Sequence, residues 1–134
     1  MIQNVEEFVE ELLKRTKSNE VSWKKVSPSR YKSLVERNIA HAKVVDAYYQ
    51  QRRDSNDIVV IGRLERRIYT DVDEYYLQDE YFFTETDTSY LDPVNHFDGD
   101  ENINDFQFGI KLARLYRLIK LSGRNPDDKF NNWF

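Results

Sequence analysis

The sequence predicts an α+β fold, a three-stranded antiparallel sheet covered by an N-terminal helix and a long C-terminal helix. Three observations predict it. Residues 57–86 alternate apolar and polar positions with a period of two, the repeat of a pleated strand. Residues 4–16 and 104–121 instead repeat their apolar positions at helical spacing. The 134 residues, 14% of them aromatic, are enough for one domain with a single core, and that aromatic content argues against disorder.

The central stretch reads as two strands. Ile58, Val60, Leu64 and Ile68 recur at even positions with Gly62 as a gap, and Tyr75, Leu77, Tyr81 and Phe83 recur at odd positions with Asp79 as the break. Val59 and Ile61 make the first strand apolar on both sides at its start, as expected inside a sheet. Asp71-Val72-Asp73-Glu74 is the predicted turn.

The first helix is expected over Asn4 to Thr16, with Val5, Phe8, Val9, Leu12 and Leu13 as its core stripe. Asn4 followed by Glu7 has the pattern of a capping box. Trp23 lies in a polar connection, where a tryptophan plugs a core edge more often than it binds a ligand. Ser27-Pro28 reads as a helix start, Ser27 capping, with a helix through Tyr31, Leu34, Val35 and Ile39. Residues 43–51 fit a helix or a strand; two valines and two tyrosines favour a strand with Val45, Ala47 and Tyr49 on one face. Residues 52–57 then form the turn into the central strand.

Asp87 to Ile103 is expected to be a long irregular loop, a length that usually carries function or disorder. The helix over Asn104 to Leu121 is apolar around more than half its circumference and ends at Ser122-Gly123. Asn125-Pro126-Asp127-Asp128 has the cap, proline and acids of a last short helix, which carries Phe130, Trp133 and Phe134.

The formal charge of −4 conceals an asymmetry, because residues 1–67 carry net +4 and residues 68–134 net −8. Between Asp71 and Asp105 there are 12 carboxylates and no lysine or arginine. With no cysteine, disulfides, thiolate metal sites and a cysteine nucleophile are excluded. No apolar run approaches the roughly 20 residues that span a bilayer, and the acidic start is unlike a secretory leader, so a cytoplasmic location is expected.

The segment Phe8 to Trp23 (FVEELLKRTKSNEVSW), the short strands of the middle and the segment Leu112 to Phe130 (LARLYRLIKLSGRNPDDKF) together resemble a loose group of small, uncharacterised bacterial and phage-borne proteins. They share the order helix, tryptophan-containing connection, short meander, covering helix and final short helix. The resemblance implies that architecture and a mobile-element origin. It implies no activity, since the shared residues are packing residues.

Specific chemistry finds little support in the residue pattern. Asp98 to Asp105 places oxygen side chains at alternate positions, but an EF-hand begun at Asp98 needs glycine at 103 and glutamate at 109, where this chain has Ile103 and Gly109. His41 and His96 have no paired metal spacing, and there is no GxGxxG, Walker or Gly-x-Ser-x-Gly motif. No metal or cofactor is therefore expected. The basic clusters carry no nucleic-acid-binding motif in a chain of pI near 5.2, which disfavours direct nucleic-acid binding.

The expected function is that of a small non-enzymatic interaction protein, binding a protein partner through an acidic, aromatic-rich surface. A basic nucleic-acid-binding groove would be a suitable target. The candidate contacts are Asp79, Glu80, Asp87, Asp92, Asp98, Asp100, Glu101, Tyr76 and Phe82. The alternatives are a small hydrolase or nuclease using carboxylates around a divalent ion, and a homo-oligomer built through the surplus apolar face of the 104–121 helix.

Overall fold

The structure is a computed structural model, and it describes residues 4–34, 42–97 and 106–122. Helix α1 spans Val5–Lys17, strand β1 Lys24–Lys25, and a 3-10 turn at Pro28–Arg30 leads into the short α2 at Tyr31–Leu34. Strands β2 (Ala42–Gln51), β3 (Asp57–Tyr69), β4 (Tyr75–Asp87) and β5 (Val94–Phe97) follow, then helix α3 (Phe106–Ser122). The sheet is a five-stranded antiparallel meander in the order β1-β2-β3-β4-β5, not the three strands expected. The two additions are short edge strands: Lys24–Lys25, too brief to show a period, and Val94–Phe97, within the span expected to be irregular.

Local chemistry explains the helix starts. Asn4 is extended and its Oδ1 accepts the Glu7 amide at 2.9 Å, satisfying a donor that has no partner inside the helix. Ser27 precedes the 3-10 turn but does not cap it, because its hydroxyl pairs with that of Ser29 at 3.0 Å. Trp23 plugs the core edge as expected, donating its indole N–H to Thr16 Oγ1 at 3.0 Å. The proposed helix through Val35 and Ile39 and the last short helix with Phe130, Trp133 and Phe134 lie outside the described residues.

Both faces of the sheet are buried. On one, α1 and α3 pack Val9, Leu12, Phe108, Leu112, Leu115 and Ile119 against Ile61 and Phe83. On the other, Val26, Leu34 and Tyr31 cover Val44, Ala47, Ile58, Val60, Leu64 and Phe82. Arg30 closes this second face by lying over the Tyr90 ring, 5.2 Å from its centroid.

The register decides which faces the two apolar rows occupy. Every β3–β4 pair matches even with even or odd with odd, from Ile58↔Thr86 to Ile68↔Tyr76. The even apolar row of β3 and the odd apolar row of β4 therefore lie on opposite faces. A four-residue loop at 71–74 would have put them on the same face; the loop between the paired Tyr69 and Tyr75 has five residues, which reverses the parity.

Strand β2 carries a bulge. Its register steps from Val44↔Leu64 to Asp46↔Arg63, leaving Val45 as the extra residue. Val44, Ala47 and Tyr49 thus share the second face, rather than Val45, Ala47 and Tyr49. The bulge also turns Asp46 under α3, where it is buried and accepts the Tyr116 hydroxyl, with Lys120 Nζ 3.7 Å from its other oxygen. Burial, together with donation to Asp46, pushes the Tyr116 phenol well above the ordinary tyrosine range.

Gly62 is the gap in the apolar row because a ring fills its place. A Cβ there would lie 2.4 Å from the Phe82 ring and 3.0 Å from the Asp46 carbonyl oxygen. Phe82, paired directly opposite, folds its side chain across the glycine.

Candidate interaction surface

The β3–β4 hairpin outgrows its neighbours. Strand β2 reaches only Ala42, opposite Arg66, and β5 pairs only with Phe82 to Glu85. Beyond Arg66 and Gln78 the described residues contain just the two-stranded ribbon, closed by the pairs Arg67↔Leu77, Ile68↔Tyr76 and Tyr69↔Tyr75. A bare ribbon of this kind is marginal in water and depends on its cross-strand contacts. Here the Tyr69 and Tyr75 rings meet at a tilt of 54° with centroids 5.5 Å apart, and the Arg67 guanidinium lies 5.0 Å from the centre of the Tyr75 ring. Donation to the Tyr69 hydroxyl, with Tyr75 beside it, raises the Arg67 pKa further.

Apolar groups remain in water all along this arm. Tyr69 and Tyr75 are each nearly half exposed, Tyr76 is 53% exposed, Leu77 57%, and Val72 at the apex 86%. Scattered exposed apolar residues are ordinary; here they cluster on both sides of one element. At the tip, Thr70 and Asp71 donate their amides to the Glu74 carbonyl and Asp71 Oδ1 accepts the Val72 amide at 2.7 Å. Among the described residues no lysine or arginine forms an ion pair with Asp71, Asp73 or Glu74. The arm ends in three carboxylates with no ion pair among the described residues.

The sequence-derived contacts are distributed differently. Tyr76 is on the arm. Asp79 and Glu80 stand at its base, each tied to a β3 arginine: Asp79 to Arg63 at 3.4 Å and Glu80 to Arg66 at 2.9 Å. Asp87 is at the far end of β4, where the Ser89 hydroxyl and amide hydrogen-bond its carboxylate and hold its pKa below the usual range. Asp92 is exposed, with a left-handed φ of 49°, in the turn that follows. Phe82 is 0% exposed and belongs to the core, which corrects its assignment as a surface anchor. Asp98, Asp100 and Glu101 lie outside the described residues.

The six candidates among the described residues do not converge on one surface. Residues of the arm that were not among them, Tyr69, Tyr75, Leu77 and Val72, make the exposed cluster instead. The signal that points to them is length: two 13-residue strands beside a neighbour of 10 residues leave an overhang.

His96 stands beside Glu85, with Nε2 2.9 Å from Glu85 Oε2 and its ring against Phe83. His41 lies outside the described residues. Among the described residues no three of His, Cys, Asp and Glu are grouped so as to hold a metal ion. No described helix is long and apolar enough to cross a membrane. No protein-family model matches the chain, and comparison with curated proteins and with solved structures finds no match.

Proposed function

We propose that this chain is a protein-interaction module that docks by its β3–β4 arm on a basic surface of a protein partner. The observation that carries the reading is the combination on one element of exposed Tyr69, Tyr75, Tyr76 and Leu77 with an acidic tip that has no ion pair among the described residues. Tyrosines supply large contact area with little rotamer entropy to lose, which suits them to the centre of an interface. The tip carboxylates supply steering toward positive charge, a contribution that acts mainly on the association rate and weakens with salt.

The body of the molecule is suited to holding the arm out. Both faces of the inner hairpin are packed, and Arg63 and Arg66 pin Asp79 and Glu80 at the point where the neighbouring strands stop.

A photo-reactive phenylalanine analogue replacing Tyr76 in the intact chain tests the reading. A discrete cross-linked partner is expected at position 76 and not at Glu20 in the exposed α1–β1 connection. With the purified partner, D71N/D73N/E74Q should lower the association rate, and the difference should vanish at high salt. Equal labelling from both positions, or a rate indifferent to the tip charges, would contradict it.

A further inference from the structure

Charge is segregated in space as well as along the chain. From Lys14 to Leu34 there are seven lysines and arginines and one carboxylate, Glu20. Two of the seven are engaged, Arg15 with Glu11 and Arg30 over the Tyr90 ring. The other five, Lys14, Lys17, Lys24, Lys25 and Lys32, are exposed and form no ion pair among the described residues. Outside this segment six of the ten described lysines and arginines do form ion pairs, so the cations left for an external anion concentrate here.

The fold gathers these lysines around one edge of the sheet. Strand β1 pairs only with β2, through Lys24↔Tyr49 and Lys25↔Tyr48, so Lys24 and Lys25 form the border of the described sheet. Directly paired residues share a face. Lys25 therefore stands on the face covered by α1 and α3, to which Tyr48 belongs, and Lys24 on the other, with Tyr49. The last turn of α1, with Lys14 and Lys17, is fastened to the approach to β1 by the Trp23–Thr16 hydrogen bond. Past β1, Val26 and Leu34 enter the second core while Lys32, between them, stays exposed.

The chemistry of this border selects among anions. None of the large apolar side chains exposed among the described residues lies between Lys14 and Leu34. The anchor that a membrane-surface segment or a protein hot spot requires is therefore missing. Lysine is depleted from protein–protein interfaces, whereas its ammonium serves phosphate as a point charge. Trp23 and Tyr31, the aromatic residues of the segment, pack against the two cores and leave no platform for unstacked bases. Lysine on an edge strand also deters strand pairing, but Lys14, Lys17 and Lys32 are on helices and have no such edge to protect.

We infer that this lysine border binds the phosphate backbone of a nucleic-acid duplex, without regard to base sequence. Phosphate contacts position a duplex and carry no sequence information, which matches a surface built of point charges. The net charge of −4 averages over this border and the acid-rich residues 68–134, and does not describe either. Strand β1 lies level with Val60 and Ile61 of β3, well short of the arm, so this binding stands or falls separately from the docking role proposed above.

Fluorescence anisotropy of a labelled DNA duplex of mixed sequence, titrated with the full chain, tests it. Binding should saturate at low salt and be equal for two duplexes of unrelated sequence. The log–log salt slope should be about −4.5, from roughly 0.9 per contacted phosphate for five lysines. K24Q/K25Q/K32Q should flatten the slope to about −2 and weaken binding at least about tenfold at low salt. K24R/K25R/K32R should keep both affinity and slope, and D71N/D73N/E74Q on the arm should leave binding in place. A single strand of the same sequence should bind more weakly than the duplex. No saturable binding at low salt, a slope near zero, or binding that K24Q/K25Q/K32Q leaves unchanged would overturn the inference. So would tighter binding to the single strand, or to vesicles of phosphatidylglycerol, than to the duplex.

Discussion

The two halves of the β3–β4 hairpin are built from the same kinds of residue and meet opposite fates. In the inner half, Ile58 to Leu64 and Phe82 to Thr84 are covered on one face by α1 and α3 and on the other by the α2 segment. In the outer half, Tyr69 and Tyr75 to Leu77 have comparable apolar content and nothing among the described residues covers them. The difference lies in the neighbours among the described residues, since β2 stops at Ala42, opposite Arg66, and β5 pairs no further along β4 than Phe82. Apolar content therefore does not identify core by itself; a residue becomes core where a second layer reaches it. This contrast is the basis for assigning stability to the inner half and docking to the outer.

Substitutions in the inner half should have the largest effects. Phe82→Ala should cost about 3–5 kcal/mol in chemical denaturation, since it empties a fully buried ring site. Gly62→Ala should cost about 1–3 kcal/mol, because its methyl must displace that ring or the Asp46 backbone. A neutral result at Gly62 would show that Phe82 has an alternative position and that the core is less tightly specified than its geometry implies.

The Asp46–Tyr116 contact is next in size. Tyr116→Phe leaves a buried carboxylate oxygen short of a donor and should cost about 1–3 kcal/mol. It should also change the alkaline limb of the stability curve. Tyr116 is harder to deprotonate folded than unfolded, so its contribution is complete below the unfolded value of 10.0 and is lost as pH rises above it. Wild-type stability should therefore fall above pH 10 more steeply than that of Tyr116→Phe. Lys111, held above its ordinary value by hydrogen bonds to Glu10 and Glu6, adds a decline of the same sign in both proteins.

The smallest stability effects belong to the arm. Tyr76→Ala and Leu77→Ala should each change unfolding free energy by no more than about 0.5 kcal/mol, the range of surface substitutions, while weakening association. A large stability loss at either position would place the arm within the cooperative core and blur the distinction between the halves.

Much of the fold was legible from residue pattern alone, because α1, α3 and the central hairpin each present a clear period. Asn4 with Glu7 located the first helix start to the residue. What stayed hidden depends on register. Phe82 and Phe83 are adjacent, and alternation alone leaves both free to be surface or core; both became core because layers cover both faces of the sheet. The pairing of Asp79 with Arg63 and of Glu80 with Arg66 spans 16 and 14 residues and follows from the loop length. The bulge at Val45 was illegible because Val44 and Val45 are interchangeable by propensity. As to the site, the acid-rich aromatic span was visible, but which part stands free of the body was not.

The central claim is that the arm exists for docking and adds nothing needed by the fold. Joining Arg66 to Gln78 through Asn-Gly removes residues 67–77 and keeps every pairing of the inner hairpin, with a loop suited to a tight antiparallel turn. Thermal unfolding of this shortened chain is the most direct measurement. The account predicts a Tm within about 5 °C of the full chain, the shift of roughly 1 kcal/mol in a domain of this size. A fall several times larger, or loss of the cooperative transition, would show that the arm is part of what holds the molecule together and would contradict the account.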